Sequence, residues 1–439
     1  MQFDKRLGLD RVGIEPSTGE HAQPPRKKKL RIAYLSGPSD APAVFREWSG
    51  EQNAEYFGSN YMKQFLQTSA ELDAETYVIT NLPGEYSFRH LGQFIFENRP
   101  PPSSAKGIRH HLSFFPWFVR LTPKIFQFKP DVIVVTMYEH YWFLWFFFRW
   151  FGIPMIPSFH GLLWPKYAVR KSSLRVLWQL NRWLVLRYMK VMIVTSNDIA
   201  RQLQELLGKR DSSRIEFVRH FPTYSPSQFA HVSPPTSAPR PPFKVFFAGR
   251  IETNKGVYDL VEVARRLEAN RKGEFHFDIC GDGGELNGLR SRIKQLSLDS
   301  VVTCHGYCTP DRIVPLLGAS HAWVVPTTSE FAAGFEMVCA EAILANRPLI
   351  TSDVCPALED VREATVEVRP DDVDGFRDAV LKLCDDPNLY SEKFKACAAL
   401  QAQFYDLENS LGSKLKEVLI RYIVRPAAVK EKRTFEARQ

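Results

Sequence analysis

Cysteine is scarce in this chain and is confined to its second half. Seven cysteines occur among 439 residues, the first is Cys280, and no two have CxxC spacing. Cys304 and Cys308, with His305 between them, come nearest to part of a zinc-binding motif, but no second pair of ligands accompanies them. An odd number of clustered cysteines excludes a complete disulfide framework and is typical of buried thiols in a reducing compartment. The sequence therefore predicts a cytoplasmic protein.

A long apolar run is also missing. The strongest run, YWFLWFFFRWF at 141–151, is too short to span a bilayer and is interrupted by Arg149. It is consistent with a helix buried between two parallel strands or with an aromatic surface that contacts a membrane. Residues 1–28 are polar and lack the apolar segment of a secretory signal, which predicts a flexible tail.

Acidic residues are under-represented in the first half of the chain. Residues 1–230 hold 30 lysines and arginines against 19 aspartates and glutamates, within a net charge of +8 for the whole chain. Such a basic half favours an anionic partner: a membrane surface, an anionic glycan or lipid phosphate, or nucleic acid. A basic surface that serves only solubility is the alternative. The aromatic residues cluster in apolar runs and do not interleave with the basic ones, which argues against nucleic acid.

Apolar strand-like runs alternate with helix-like segments along two halves of the chain. In the first half the runs are Leu30–Leu35, Thr76–Thr80, Val132–Thr136, Met155–Phe159, Val191–Thr195 and Ile215–Val218. In the second half they are Val245–Ala248, His276–Cys280, Val301–Cys304, Ala322–Val325, Leu349–Thr351 and Thr365–Val368. Alternation of this kind predicts two α/β domains, each with a parallel sheet and right-handed crossovers.

Composition sets the expected domain limits. The predicted first domain covers residues 29–225, and a linker rich in proline and serine covers 226–243. The second domain covers 244–405, and 406–439 contain a final helix that crosses back onto the first domain, followed by a tail. In such domains ligands bind at the carboxyl ends of the strands, so a cleft between the two sheets is the expected site.

The second half contains a series of short motifs: AGRIETNKG, CGDGGE at Cys280–Glu285, CHGY at Cys304–Tyr307, GFEMVCAEAILANRPLI and CPALEDV. In this order and spacing the series resembles the family-4 retaining glycosyltransferases of the GT-B fold. The resemblance is strongest over 244–368. It implies two Rossmann-like domains facing across a cleft, a nucleotide-diphosphate sugar as donor substrate, and no further cofactor.

The resemblance also implies roles for donor-side residues. Arg250 and Lys255, after Gly249, match the cations that neutralise the two phosphates and the charge growing on the leaving diphosphate. Glu341 matches the second glutamate of the family's Glu-x7-Glu signature, which binds the ribose hydroxyls. The backbone amides before its helix are expected to hold phosphate or a sugar hydroxyl; these belong to Gly334, Phe335, Glu336 and Met337.

The first domain supplies fewer matches. Gly37 follows the first strand where the family has a glycine-rich loop, but the prolines that follow it predict a longer insertion. His160, in Phe159-His160-Gly161, resembles the family histidine that contacts the donor sugar, although a strand-end histidine is often structural. Glu139 and His140 end the preceding strand and are candidates for the acceptor side.

The first glutamate of the signature is missing. Ala333 stands where the family has a carboxylate beside the transferred sugar, flanked by Glu330 and Glu336. The substitution is compatible with an active enzyme that has an altered donor pocket. The alternative is a non-catalytic subunit that binds sugar nucleotides or glycans. A GT-B sugar-nucleotide epimerase is a further alternative, although no acid/base set for epimerisation is identifiable.

The implied reaction is front-face glycosyl transfer with retention, in which the leaving diphosphate accepts the proton of the attacking hydroxyl. No Asp-x-Asp cluster stands at a strand end, so we expect no bound metal. The acceptor is expected to be a glycan, a lipid-linked compound or a small molecule.

The segment 172–190, SSLRVLWQLNRWLVLRYMK, is a basic amphipathic sequence. Arg175, Gln179 and Arg182 share one helical face, and Leu177, Leu180 and Leu184 share another. An ordinary helix packed on the sheet would explain this pattern. So would peripheral contact with an anionic membrane, which the basic first half favours.

Overall fold

The computed structural model describes residues 29–51, 59–101, 108–167, 172–233, 241–332 and 334–426. The predicted tail 1–28, residues 234–240 of the predicted linker, Ala333 and the last residues of the C-terminal tail lie outside the described residues. The described chain forms two α/β units, each built on its own sheet, and the predicted fold class is confirmed.

The first unit contains an eight-stranded sheet in the order β3-β4-β2-β1-β5-β6-β7-β8. Its strands are β1 Arg31–Leu35, β2 Glu75–Thr80, β3 Ser87–Leu91, β4 Phe94–Asn98, β5 Val132–Val135, β6 Met155–Phe159, β7 Val191–Val194 and β8 Glu216–Arg219. All neighbouring pairs are parallel except β3 and β4. The central strands are apolar on both faces because helices cover both sides of the sheet.

The hairpin of β3 and β4 was not among the predicted strands. Its outer strand, Ser87–Leu91, is largely exposed and reads as a polar surface segment. Gly92, with φ of +58°, forms the tight turn between the two strands. An edge strand has one solvated side and little apolar patterning, which explains why β3 carries only a weak strand pattern in the sequence.

Helices cover both faces of the first sheet. One face carries Ile108–Phe128, Phe146–Trp150, Ser172–Leu184 and Asn197–Leu207, and the other carries Ala41–Trp48, Tyr61–Glu71 and Leu411–Leu419. Shorter helical segments are Glu139–Trp145, Leu186–Tyr188, Lys209–Ser212, Pro226–Phe229 and Ile420–Val424. The aromatic run at 141–151 forms a 3₁₀ helix that continues into a short α-helix, between β5 and β6. Within the described residues, no helix is both long enough and apolar enough to cross a membrane.

The second unit is a six-stranded parallel sheet in the order β11-β10-β9-β12-β13-β14. Its strands are β9 Phe243–Ala248, β10 Phe275–Cys280, β11 Val302–Gly306, β12 Ala322–Val325, β13 Leu349–Thr351 and β14 Thr365–Glu367. Its helices are Val257–Asn270, Leu286–Gln295, Pro310–Ala319, Met337–Leu344, Leu358–Val361, Val373–Asp385, Pro387–Leu400 and Ala402–Tyr405.

The chain returns to the first unit at its C-terminal end. The helix Leu411–Leu419 packs against Tyr61–Glu71. Thr68 Oγ1 donates a hydrogen bond to the Gly412 carbonyl oxygen at 3.0 Å, and Gln64 Oε1 accepts one from the Gly412 amide at 3.2 Å. The two units are therefore joined by a second chain crossing as well as by the segment after β8.

Candidate functional site

A cavity of about 530 Å³ lies at the carboxyl end of the second sheet. Loops after β9, β10, β11 and β12 and the start of the helix Met337–Leu344 enclose it. Among its lining residues are Gly249, Arg250, Lys255, Tyr307, Thr327, Glu336, Met337 and Glu341. Six of the predicted donor-side residues thus line one cavity: Gly249, Arg250, Lys255, Glu336, Met337 and Glu341.

A second cavity of about 700 Å³ lies against residues 252–254 of the same loop after β9, and its lining has a different charge. Its lining contains five carboxylates: Glu252, Asp259, Glu285, Glu330 and Asp371. Carboxylates repel an anionic ligand, so the electrostatic environment of the first cavity suits a diphosphate better.

The two predicted cations flank one aromatic ring. The Lys255 ammonium lies 4.0 Å from the centroid of Phe331, and the Arg250 guanidinium lies 6.0 Å from it. Arg250 is well exposed and pairs with Glu252 at 2.8 Å. Lys255 is nearly buried, and its Nζ is 2.8 and 3.1 Å from the carboxylate oxygens of Glu336.

Gly256 fixes the turn that carries Lys255. Its φ of +71° favours glycine, and a Cβ at this position would lie 1.9 Å from the Pro326 carbonyl oxygen. The loop after β9 is therefore pressed against the residue that follows β12, and a larger residue would displace Lys255 from the cavity.

Glu341 lies at the inner end of the cavity. Its side chain is buried, and burial raises the pKa of the Glu341 carboxyl to about 7. The Tyr224 hydroxyl donates a hydrogen bond to Glu341 Oε1 at 3.1 Å, which favours the ionised form. Tyr224 was missed in the sequence analysis because it stands alone in an irregular segment, and no motif there marks it.

The residues at the start of the helix that carries Glu341 have different surroundings. Glu336, in the left-handed region with φ of +52°, and Met337 line the cavity. Phe335 is buried, with its ring 6.3 Å from that of Phe221 and 6.2 Å from that of Phe404. Its side chain belongs to the core, so only its backbone is available to a ligand.

Gly334 contacts the first unit. A Cβ on Gly334 would lie 1.8 Å from the His160 carbonyl oxygen, so the loop before the Glu341 helix touches the end of β6 directly. Loops at the carboxyl ends of the two sheets therefore touch. The contact joins two predicted site residues, Gly334 of the second domain and His160 of the first.

His160 is enclosed by aromatic rings. Its Nε2 is 3.0 Å from Ser158 Oγ, while its buried Nδ1 has no hydrogen-bond partner among the residues that the structure describes. The rings of Tyr61 and His220 lie 5.0 and 5.5 Å away. Burial lowers the pKa of His160 to about 4, so the imidazole is neutral at pH 7. His220 follows β8 directly and carried no recognisable motif.

The acceptor-side candidates lie on the turn after β5. The backbone amide of His160 donates a hydrogen bond to the Glu139 carboxyl, and burial raises the pKa of this carboxyl to about 8. The His140 ring lies 5.2 Å from the Trp178 ring at an interplanar angle of 51°, and burial lowers the pKa of His140 to about 4. Glu139 is thus next to His160, whereas His140 packs on the helix Ser172–Leu184.

Gly37 follows β1 at the same edge of the sheet as His160. The space where a side chain would project from it is open. The helix Ala41–Trp48, capped by the Asp40 carboxylate, begins four residues further on. The segment after β1 is therefore a short turn into a helix, with open space beside Gly37.

Two family descriptions match this chain in succession. Residues 58–221 match Glycosyltransferase Family 4, and residues 232–399 match Glycosyl transferases group 1. The two matches divide at the same place as the two α/β units.

Curated relatives match the chain over part of its length. A glycogen synthase of Mycobacterium tuberculosis is 25% identical over 265 residues, which cover 60% of this chain and 62% of that protein. The alpha-D-kanosaminyltransferase of Streptomyces kanamyceticus is 30% identical over 173 residues, covering 39% of this chain and 44% of that protein. The chain thus aligns with less than two thirds of each of these relatives.

The fold comparison covers nearly the whole chain. The solved sucrose-phosphate synthase from Thermosynechococcus elongatus superimposes with a TM-score of 0.66 at 16% identity, over 91% of this chain and 100% of that one. Together with the two successive sequence matches, this architecture shows that the chain belongs to the family-4 glycosyltransferases of the GT-B fold.

Proposed function

We propose that this protein is a retaining glycosyltransferase that transfers a sugar from a nucleotide-diphosphate sugar to a hydroxyl acceptor. The observation that carries the proposal is the cavity with Lys255 and Arg250 at one part of its lining and Glu341 at another. Two cations suit a diphosphate, and a buried carboxylate suits the paired hydroxyls of a ribose. The enzyme names of the relatives support the same class of reaction.

The proposed chemistry uses charge stabilisation at the leaving group. Lys255 and Arg250 stabilise the diphosphate as the glycosidic bond breaks, and a departing phosphate oxygen takes the proton of the attacking hydroxyl on the same face. Preorganised donors of this kind are worth about 3–4 kcal/mol each. Because these two cations can neutralise the diphosphate, we propose that the reaction needs no metal.

The first domain is proposed to hold the sugar and the acceptor. We propose that neutral His160 lies beside the transferred sugar; its Nδ1, buried at the contact with Gly334, has no hydrogen-bond partner among the described residues. Glu139 beside it can accept from, or donate to, the acceptor hydroxyl according to its protonation. Contact between Gly334 and His160 would exclude water from the reacting atoms.

The test is transfer of a labelled sugar. Thermal shifts with UDP-, GDP- and ADP-sugars select the donor, since a ligand that binds the folded state raises the unfolding temperature. The selected donor, labelled in its sugar, is then offered to glycan, lipid-linked and small-molecule acceptors, and the anomeric configuration of the product is read by NMR. Inversion at the anomeric carbon would contradict the retaining mechanism.

A non-catalytic binding subunit is the second candidate, because Ala333 replaces a signature carboxylate. The variant Ala333→Glu separates the two. A wild type that binds but never transfers, together with a variant that transfers, would assign the subunit role. An epimerase would instead invert a centre of the sugar nucleotide in the absence of any acceptor.

The proposal includes a cytoplasmic location with peripheral contact to an anionic membrane. It is supported by the basic first half of the chain and by the amphipathic helix Ser172–Leu184. A membrane-bound enzyme would act on a lipid-linked acceptor, as in glycan biosynthesis.

A further inference from the structure

We infer that one face of the first domain docks on an anionic lipid bilayer. This face, here called the aromatic-basic face, is formed by the exposed sides of Ile108–Phe128, Phe146–Trp150 and Ser172–Leu184. Its principal apolar residues are Leu112, Phe115, Val119, Trp150, Phe151 and Trp183. The inference identifies the surface for the membrane contact included in the proposed function, and it rests on the proposed transferase activity only for the identity of the acceptor that the bilayer would supply.

The helix Ile108–Phe128 is apolar on two opposite sides. Phe114, Phe118 and Leu121 are buried in the core below it. Leu112, Phe115 and Val119, at positions i, i+3 and i+7, are 64%, 61% and 53% exposed. An exposed apolar stripe on the outer side of a helix, in addition to its buried side, marks an interaction surface.

The helix Ser172–Leu184 carries a second exposed apolar stripe. Trp178 is buried, whereas Val176 and Trp183 are 59% and 65% exposed. The face expected from Leu177, Leu180 and Leu184 is divided in the structure, because Leu177 packs against the core and the other two leucines are exposed. This helix therefore packs on the sheet and also presents an apolar stripe outward, so the two interpretations of its sequence are compatible.

The short helix between them makes the surface continuous. Trp150 and Phe151 are 82% and 70% exposed. The Phe151 ring lies 4.9 Å from that of Phe126 on the first long helix. On the other side, the Arg149 guanidinium stacks 3.7 Å above the ring of Tyr188, just after the second long helix.

The charge on this part of the chain has one sign. Residues 108–190 contain twelve lysines and arginines and two carboxylates, Asp131 and Glu139. Asp131 accepts a hydrogen bond from the Arg31 amide at the start of β1, and Glu139 is bonded to the His160 amide. The exposed charges are therefore cationic, among them Arg120, Arg175, Arg187 and Lys190.

This combination selects a lipid surface over a second copy of the chain. Two copies of the face would bring like charges together, with no exposed acid on this stretch to pair with them. An anionic bilayer instead accommodates tryptophan side chains at the level of its headgroups. Each cation near its surface adds about 1 kcal/mol to the binding free energy.

The topology orients the bound protein. The helices Ile108–Phe128 and Ser172–Leu184 precede the parallel strands β5 and β7, so both begin at the cleft edge of the sheet and end at its opposite edge. The apolar stripe thus runs up to the edge where Glu139 and His160 lie. A bilayer on this face would bring a lipid-borne hydroxyl to the acceptor side of the cleft.

The test is flotation of the full chain with vesicles. One set is phosphatidylcholine alone, and the other contains about one-third phosphatidylglycerol; both are used at low and high salt. We expect binding to the anionic vesicles, reduced by salt. Trp150→Asp/Trp183→Asp should bind at least tenfold more weakly, whereas Leu407→Asp, at a residue 64% exposed outside this face, should bind like wild type.

Two further measurements complete the test: flotation of charge-reversal variants, and light scattering to detect self-association of the protein. Arg175→Glu/Arg187→Glu should remove the preference for anionic vesicles, and Lys382→Glu, on a helix of the second domain, should leave it unchanged. Equal or negligible wild-type binding to both vesicle types would overturn the inference. So would light scattering that shows a wild-type dimer and a monomeric Trp150→Asp/Trp183→Asp variant, because the face would then be a subunit interface.

The nucleotide-sugar thermal shift, measured on the same preparations, keeps the two proposals separate. A retained shift in a variant that no longer floats with vesicles shows a folded protein and supports the docking face. A wild type that floats but binds no nucleotide sugar would contradict the transferase proposal and leave the docking face standing.

Discussion

Lys255 and Glu336 form an ion pair inside the candidate donor cavity, with Nζ 2.8 Å from one carboxylate oxygen. Both side chains are about one-tenth exposed, at 12% and 11%. A diphosphate that binds Lys255 must therefore share or displace this carboxylate. Glu336 is also close in sequence to Ala333, so a carboxylate is present near the signature position at which the glutamate is missing.

The first prediction concerns this pair. In Glu336→Gln the cation is released from its partner and a negative charge leaves the cavity, so the free nucleoside diphosphate should bind several-fold more tightly. If the carboxylate also holds the transferred sugar, kcat should fall at the same time. Calorimetric Kd values and steady-state kinetics check both effects. An unchanged Kd would show that Glu336 does not compete with the diphosphate.

The second prediction concerns the cations. Arg250→Ala and Lys255→Ala should each lower turnover at least about a hundredfold, the usual effect of losing one transition-state donor. Lys255→Ala leaves the Glu336 carboxylate buried without its cation, which would destabilise the fold. The double variant Lys255→Ala/Glu336→Gln should therefore be measured as well. Arg377→Ala, which removes an ion pair on a helix of the second domain, is the matched control. Near-normal turnover in the folded cation variants would contradict the diphosphate assignment.

The architecture was more predictable from the sequence than the contacts in the site. Alternating apolar runs located twelve of the fourteen strands found in the described part of the chain, because a buried parallel strand is apolar on both faces. They missed the edge hairpin of β3 and β4, which is half solvated. The motifs also predicted correctly that Arg250, Lys255 and Glu341 lie close together, and all three line one cavity. This was predictable because each residue follows a strand of the same parallel sheet.

Contacts between distant loops left no pattern in the sequence. Glu336 was expected to offer its backbone, yet its side chain pairs with Lys255. Tyr224 reaches Glu341 from an irregular segment, and His220 lies beside His160 from another strand. Such pairs depend on how loops of different strands converge, and neither composition nor periodicity encodes that convergence.

The third prediction concerns pH. Burial raises the pKa of Glu341 to about 7, so much of this carboxyl is protonated below that pH and ionised above it. If the ionised form accepts the ribose hydroxyls, binding of the nucleotide sugar requires loss of a proton at low pH. The Kd should therefore fall by up to about tenfold per pH unit as pH rises toward 7, and level off above it.

Titration calorimetry from pH 5 to pH 9 measures this dependence. Glu341→Gln keeps the shape of the side chain and cannot ionise, so its Kd should be weaker than the plateau value and independent of pH in this range. A wild-type Kd that is flat from pH 5 to pH 7 would show that ionised Glu341 is not required for binding.

The last prediction concerns the contact between the domains. In Gly334→Ala the new Cβ would lie 1.8 Å from the His160 carbonyl oxygen, so the loop and the end of β6 must separate. We expect turnover to fall at least about tenfold, because a small misplacement of reacting groups is costly. The thermal shift with nucleotide sugar should persist, since the cavity is lined by the second domain alone. Gly284→Ala, where no atom lies within 4 Å of the new Cβ, is the control. If Gly334→Ala transfers sugar at the wild-type rate, direct contact between this loop and His160 is not part of the reactive state.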